Sequence, residues 1–359
     1  MTYLVTGATG FIGKHLVERL LARDGDVHVL VRASSRPKLE ALVARWGHAG
    51  RVKAVVGDLE QPRLGVGDAD LQALGGVDHL FHLAAVYDMT ADKERNRVAN
   101  VGGTRNAVEL ANALGAGRFH HVSSVAAAGM YRGTFTEAMF DVGQALEHPY
   151  HATKFASEKI AREETAVPWR VYRPAVVVGD SRSGEMDKVD GPYYFFGVLR
   201  AAASLPSWIP LVGPELGDTN IVPVDFVADA IDHLAHAEGF DGQAFHLCAP
   251  EPMASVEVLN AFARAAGAPR FAARVGGRPA AWAVARGTAA ATRAPLIGGP
   301  LRRLLAAWGI PAEVIAHLGF AARFDTAATR RALGGSGIAV PPLESYADRL
   351  WDYWERNLR

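Results

Sequence analysis

Two hydrophobic periods alternate along the first half of this chain. Short apolar runs rich in β-branched residues, the mark of buried strands, occupy residues 2–6, 27–31, 52–58, 78–84, 119–123 and 169–178. Between them the apolar positions recur at helical spacing. Leu16, Val17, Leu20 and Leu21 do so within 14–21, and Val101, Val108, Leu110 and Ala111 within 100–114; residues 38–46 and 151–165 also read as helical. Strands alternating with helices predict an α/β fold, a doubly wound parallel sheet of Rossmann type with ligands at the strand C-terminal ends. Beyond Gly179 the regularity weakens, and Pro and Gly become frequent through 184–223. Residues 220–228 then lead into a helix, and 242–247 read as a late strand, both expected to return to the sheet. Leu343, Ala347, Leu350, Trp354 and Leu358 form the stripe of a last helix. The pattern therefore predicts a dinucleotide-binding domain over 1–180, with 220–248 rejoining it. A smaller, mostly helical substrate region is expected over 181–359.

Composition narrows the class of protein. Hydrophobic residues make up 49% and charged residues 21% of the chain, as in ordinary globular proteins. The formal net charge is zero, which gives no global case for nucleic acid. The single Cys248 fits a reducing cytoplasm, and no Cys/His cluster has metal spacing, so no metal is expected. A strand starting at residue 2 leaves no room for a signal peptide, and no apolar run of about 18 residues predicts a membrane span. His79, His82, His120 and His121 lie on or beside strands, where structural roles are expected.

The chemistry begins at the first strand-to-helix turn, Gly7-x-x-Gly10-x-x-Gly13. Gly7 permits the tight turn, Gly10 lets a pyrophosphate approach the backbone, and Gly13 lets the helix pack on the strand; the free N–H groups of that helix then face the phosphates. An NAD-binding protein usually places an acid at the end of the second strand. Here Val31 stands there, followed by Arg32, with Arg36 and Lys38 close behind. A guanidinium grips a 2′-phosphate, so NADPH is the expected cofactor, with Arg32 its main contact. Asp58, followed by Leu59, is placed to accept from the adenine amino group. Tyr150 and Lys154, four apart, share one helix face. An ammonium there is expected to lower the phenol's pKa toward the working pH, making Tyr150 a general acid for a carbonyl oxygen. Lys154 is also placed to hold the nicotinamide ribose. Ser124, at the end of the fifth strand, is expected to bind the same carbonyl oxygen; Ser123 competes for that role.

With these pieces the sequence resembles the extended branch of the short-chain dehydrogenase/reductase family over roughly residues 2–250. The matching residues are Thr6-Gly7-Ala8-Thr9-Gly10-Phe11-Ile12-Gly13, Asp58-Leu59, His82-Leu83-Ala84-Ala85, Asn100, Ser123-Ser124, Tyr150 with Lys154, and Arg173-Pro174. The resemblance implies that Ser124 positions the carbonyl, Tyr150 is the acid, Lys154 tunes it and Asn100 supports a proton relay through water. It further implies that Ala84 and Ala85 line the cofactor ribose while Pro174, Val176 and Val177 pack by the nicotinamide. Residues 172–184 and 187–196 more narrowly resemble the N-terminal reductase module of fatty acyl-CoA and fatty aldehyde reductases. That resemblance implies reduction of a long-chain, lipid-like carbonyl substrate and a second reductase module following this one.

The substrate side is read from Met89, Tyr131, Tyr193, Tyr194, Phe195, Phe196, Leu205, Trp208 and Ile209. These residues suit an aliphatic substrate, or else fill the core of the smaller domain. Trp282, Arg286, Arg293, Leu296, Leu301, Arg302, Arg303, Leu304, Leu305 and Trp308 form a basic, apolar stretch, read as a peripheral membrane contact or a helical cap with solvated arginines. A homo-oligomer is compatible with all of this. Two alternatives stand beside the fatty-chain reading: a reductase of hydroxysteroid- or flavonoid-like ketones, and a non-catalytic NADPH-binding regulator.

Overall fold

The computed structural model describes residues 1–85, 97–187, 189, 191–206, 208–214, 217–275 and 322–359. Met89 and the basic, apolar stretch over 282–308 lie outside them. The apolar runs build one seven-stranded sheet. Its strands are β1 (Thr2–Thr6), β2 (Asp26–Val31), β3 (Val52–Val56), β4 (His79–His82), β5 (Arg118–Val122), β6 (Trp169–Pro174) and β7 (Gln243–Leu247). The order is β7-β6-β5-β4-β1-β2-β3, and every neighbouring pair is parallel. All strand C-terminal ends therefore share one edge, and the order reverses between β1 and β4, where a doubly wound sheet binds its ligand.

Covered on both faces, central strands read as unbroken apolar runs: Tyr3, Leu4 and Val5 of β1 are wholly buried. The edge strand β3 is not, and its Val56 is half exposed. Among the helices are α1 (Phe11–Leu21), α2 (Arg36–Trp46), α3 (Asp68–Leu74), α4 (Gly103–Leu114), α5 (Pro149–Glu163), α6 (Val224–His236) and α7 (Ala327–Ala332). On one face, Val108, Leu110 and Ala111 of α4 and Ile160 and Ala161 of α5 pack with Leu4, Leu80 and Phe119 of the strands. Burying each larger side chain contributes about 1.5–3 kcal/mol. α1 buries Leu16, Val17 and Leu20 and is tied to α6 by Arg19–Asp229 and Arg23–Asp232, each at 2.7 Å. His79 and His120 knit strands together: they hydrogen-bond each other at 2.9 Å, and His120 bonds Tyr172 at 2.9 Å.

The chain divides into two compact units. The first is Met1–Ala175, Val224–Cys248 and Phe324–Ala339; the second comprises the described parts of Val176–Pro223, Ala249–Arg323 and Val340–Arg359. The run 169–178, continuous by hydrophobicity, breaks at Ala175. β6 belongs to the sheet, whereas Val176–Val178 pairs in parallel with Ile221–Pro223 in the second unit. The late segment 324–339 joins the first unit through Glu137. Its carboxylate accepts from the backbone N–H groups of Ala328 at 2.7 Å and Thr329 at 3.0 Å, which start α7, and from His246 N at 3.0 Å.

The second unit has its own aromatic core. Phe196 meets Tyr193, Phe262, Trp351 and Trp354 with ring centroids 4.9–5.4 Å apart. Tyr193 and Phe196 are thus core residues of that unit, and the Tyr193 hydroxyl accepts from Gly179 N at 2.7 Å. Tyr194 and Phe195 are half-buried, while Trp208 is 80% exposed. The loop after Asp180 is held by its own carboxylate, which accepts from Arg182 N and Ser183 N at 2.9 and 2.8 Å.

Candidate active site

At the end of β1 the backbone turns through Gly7 with φ +74°, and a β-carbon there would sit 2.6 Å from Ala84 N. One added to Gly13 would collide with the Gly7 carbonyl. Gly7 and Gly13 are therefore required by the chain's own close packing. Gly10 is exposed, directly precedes α1, and no side chain caps that helix. The first N–H groups of α1 at Phe11, Ile12 and Gly13 are left for a ligand, in the geometry that receives an anionic pyrophosphate. The half-buried Thr9 lies in the same turn.

Arg32, Asp58, Leu59, Ala84, Ala85 and Pro174 follow or end strands of the same sheet. Arg32 is exposed just past β2. Asp58 is exposed beyond β3, its carboxylate accepting from Glu60 N at 3.0 Å, and Leu59 O accepts from Asn106 Nδ2 at 2.7 Å. Ala84 and Ala85 follow β4, and Pro174 ends β6. Val176 and Val177 belong to the second unit. The uncapped helix start, the glycine turn and the exposed Arg32 and Asp58 fit a dinucleotide, which when bound would supply a hydride.

Ser124 follows β5 and caps a short turn, Val125–Ala128, accepting from Ala126 N at 3.2 Å. Its side chain also interacts with the Tyr150 hydroxyl, favouring the phenolate. Tyr150 sits in the first turn of α5, whose N-cap His148 accepts the Tyr150 N–H through Nδ1 at 3.1 Å. Lys154, one turn on, is buried, and its Nζ donates to Val122 O at 3.5 Å. The electrostatics differ from the sequence expectation. Burial pushes the Tyr150 hydroxyl up to about 12, the Ser124 side chain pulling the other way. Burial also lowers the Lys154 ammonium to about 8, against the favourable field of Glu158. Removal from water dominates at both residues, because each charged form loses its hydration.

Ser123 is held elsewhere: its hydroxyl donates to Glu158 Oε2 at 2.8 Å. Glu158 also receives Arg173 at 2.6 Å and Arg162 at 2.8 Å, and Arg173 continues to His246 Nε2 at 3.1 Å and Met139 O at 2.9 Å. Burial alone would raise the Glu158 carboxyl, but Arg173, Arg162 and Ser123 hold it below the ordinary carboxylate value. This cluster fastens α5 to β5, β6 and β7. Sequence reasoning missed Glu158, although it continues the Tyr150, Lys154 spacing by one further turn. Asn100 is buried in a π-type turn, Arg97–Gly102. Its carbonyl accepts from Thr104 Oγ1 at 2.7 Å and, from α5, Ser157 Oγ at 2.9 Å.

Among the described residues no group of three or more His, Cys, Asp or Glu is arranged to hold a metal ion. No described helix is long and apolar enough to cross a membrane.

The NAD-binding family described as male sterility protein matches residues 5–231. A linear gramicidin synthase of Brevibacillus parabrevis is 32% identical over 69% of this chain, which spans 5% of that protein. Aldehyde reductase lnbA of Aspergillus flavus is 27% identical over 71% of the chain and 27% of its own length. The solved terminal R domain from the myxalamid PKS-NRPS biosynthetic pathway superposes with a TM-score of 0.81 at 25% identity, covering 100% of this chain and 91% of that one. The chain thus accounts for only a small part of the curated relatives it matches.

Proposed function

From the premise that this chain belongs to the male sterility protein family of NAD-binding, extended short-chain-type oxidoreductases, we propose that it uses NADPH to reduce the carbonyl of an aliphatic, acyl-derived substrate. Tyr150 is the general acid. The observation that carries this reading is the side-chain interaction of Ser124 with the Tyr150 hydroxyl, which favours the phenolate, beside the buried Lys154. Two hydroxyls converge where a carbonyl oxygen can accept from both. Ser124 orients the oxygen, and Tyr150, protonated at neutral pH, donates as the alkoxide develops. The Lys154 ammonium offsets the phenolate left behind, and Asn100 anchors water-borne return of the proton. The exposed Arg32 after β2, with no acid at Val31, supports the 2′-phosphate and hence NADPH.

The substrate class rests on different support. The aldehyde reductase among the relatives and the large synthases that contain related segments favour an aldehyde or an acyl thioester. Nothing in the Ser124, Tyr150, Lys154 set is dedicated to a thiolate leaving group, which favours the aldehyde step. The test is kcat/KM for NADPH oxidation across saturated aldehydes of rising length, beside the matching acyl-CoA thioesters and one ketosteroid. Each methylene buried should add about 0.8 kcal/mol until the site is full. Thioester turnover would place the chain one step upstream. A flat length profile with good ketosteroid turnover would overturn the aliphatic reading.

A further inference from the structure

We propose that His82 is a positioning residue for Asn100, acting as the central link in a directed hydrogen-bond chain from the glycine turn to the π-type turn. The inference rests on the reading of Asn100 as part of the proton path and extends it to residues that touch neither substrate nor cofactor. Donor counting fixes every proton. Asn100 O can only accept, so the Thr104 hydroxyl spends its proton there, at 2.7 Å. The Thr104 oxygen then accepts from His82 Nε2, 3.2 Å away. With its proton on Nε2, a neutral His82 has only an acceptor at Nδ1, which takes the Thr6 hydroxyl at 2.9 Å. Thr6 Oγ1 in turn accepts the backbone N–H of Ala84 at 3.3 Å. One proton arrangement satisfies Ala84 → Thr6 → His82 → Thr104 → Asn100.

The imidazole stays neutral throughout: burial lowers its pKa to about 3. The residue is 1% exposed, and its ring stacks against His121 and Phe119 with centroids 5.7 and 6.3 Å apart. Ser157 Oγ holds the same Asn100 carbonyl from the α5 side. The turn carrying Asn100 is thereby pinned between the strand that ends at the cofactor turn and the helix that carries Tyr150 and Lys154. A π-type turn has one residue more than an α-helical turn and depends on such outside partners.

The experiment is a double-mutant cycle on the full chain, with bound NADPH titrated by fluorescence to count competent sites. His82→Phe removes both links, and His82→Gln restores an acceptor and a donor. His82→Phe should lower kcat per competent site of order tenfold to a hundredfold. KM and NADPH affinity should change by less than roughly twofold, and H82Q should recover most of the loss. In an Asn100→Ala background His82→Phe should add no further loss, since the two act through one element. Thr104→Val should behave as H82F does, and it serves if H82F does not fold. A normal kcat in both H82F and T104V while N100A is impaired would overturn the positioning role alone, as would losses that multiply. A normal kcat in N100A would instead overturn the role of Asn100 and this inference with it.

Discussion

Tyr150 keeps its proton across the neutral range because burial holds its hydroxyl near 12. Tyr150→Phe should therefore cut turnover by about 10²–10⁴ while NADPH binding stays nearly unchanged; steady-state kinetics beside cofactor titration measure both. On the proposed mechanism Lys154 should set the alkaline limit. Its ammonium is lowered by burial from 10.5 to about 8, so it is charged below that pH and neutral above it. If the phenolate left by donation needs that charge, kcat for reduction should hold near neutrality and fall as pH rises through about 8. A level profile to pH 9.5, on the scale of that one-unit-per-decade titration, would separate Lys154 from the chemical step. The sign for stability is opposite: below pH 8 the buried charge is a cost, relieved between about 8 and 10.5. Arg32, in contrast, should act on the cofactor only. Arg32→Ala should weaken NADPH more than NADH by about 1.5–3 kcal/mol, the worth of a hydrogen bond to a charged group; equal losses for both would remove the 2′-phosphate assignment.

α5 carries Tyr150, Lys154 and Glu158 on successive turns of one face, and its position sets the site. The motif pair was legible in the sequence because four-residue spacing on a helix puts two side chains together whatever surrounds them. The anchoring of that helix was not, since it depends on Arg173 and His246 from strands joined only in the folded sheet. The tyrosine's electrostatics were misjudged for the same reason: spacing shows which charges are neighbours and not how far both are removed from water. Glu158 and Arg173 are both essentially unexposed. Glu158→Gln would leave the guanidinium buried without its counter-charge, and the chain should lose about 3–5 kcal/mol of stability by urea denaturation. The exposed pair Arg105–Glu164, though bidentate at 2.9 Å, is the control. Arg105→Ala should cost no more than about 1 kcal/mol. Equal losses at the two sites would mean that burial does not set the strength of the α5 anchor.

Over the whole molecule, the doubly wound parallel sheet followed from alternation, but the change of partner at Ala175 and the return of 324–339 did not. Hydrophobic period carries residues 169–178 as one strand, whereas the partner changes at Ala175 from β5 and β7 to Ile221–Pro223. The return of 324–339 to the first unit runs through Glu137, nearly two hundred residues away, and through Asp325, whose N–H donates to Phe135 O and whose carbonyl bonds His246 Nδ1; no periodicity announces such contacts. Nor does period separate a core aromatic such as Phe196 from one lining a groove. The sheet of the first unit has one collective property, its buried neutral histidines. Burial lowers His79 to about 4 and His82 and His246 to about 3, and it takes His120 and His121 well below 6.5. As pH falls through 6.5 the unfolded chain takes up protons that the folded chain refuses, so stability is lost progressively from about 6.5 down to each folded value. Each such site contributes a slope of up to about 1.4 kcal/mol per pH unit. The urea midpoint should accordingly drop steeply between pH 7 and 5, above the range where carboxylates titrate. His121 offers the sharpest check, because among the described residues neither of its buried ring nitrogens has a hydrogen-bond partner. His121→Phe removes one refused proton and two unsatisfied polar atoms while keeping a ring to stack on His82. The variant should be at least as stable as the parent at pH 7 and increasingly more stable toward pH 5, with one site's slope, about 1.4 kcal/mol per pH unit, gone. Parallel midpoint curves for parent and variant would mean that His121 is protonated in the folded chain and that the acid sensitivity lies elsewhere.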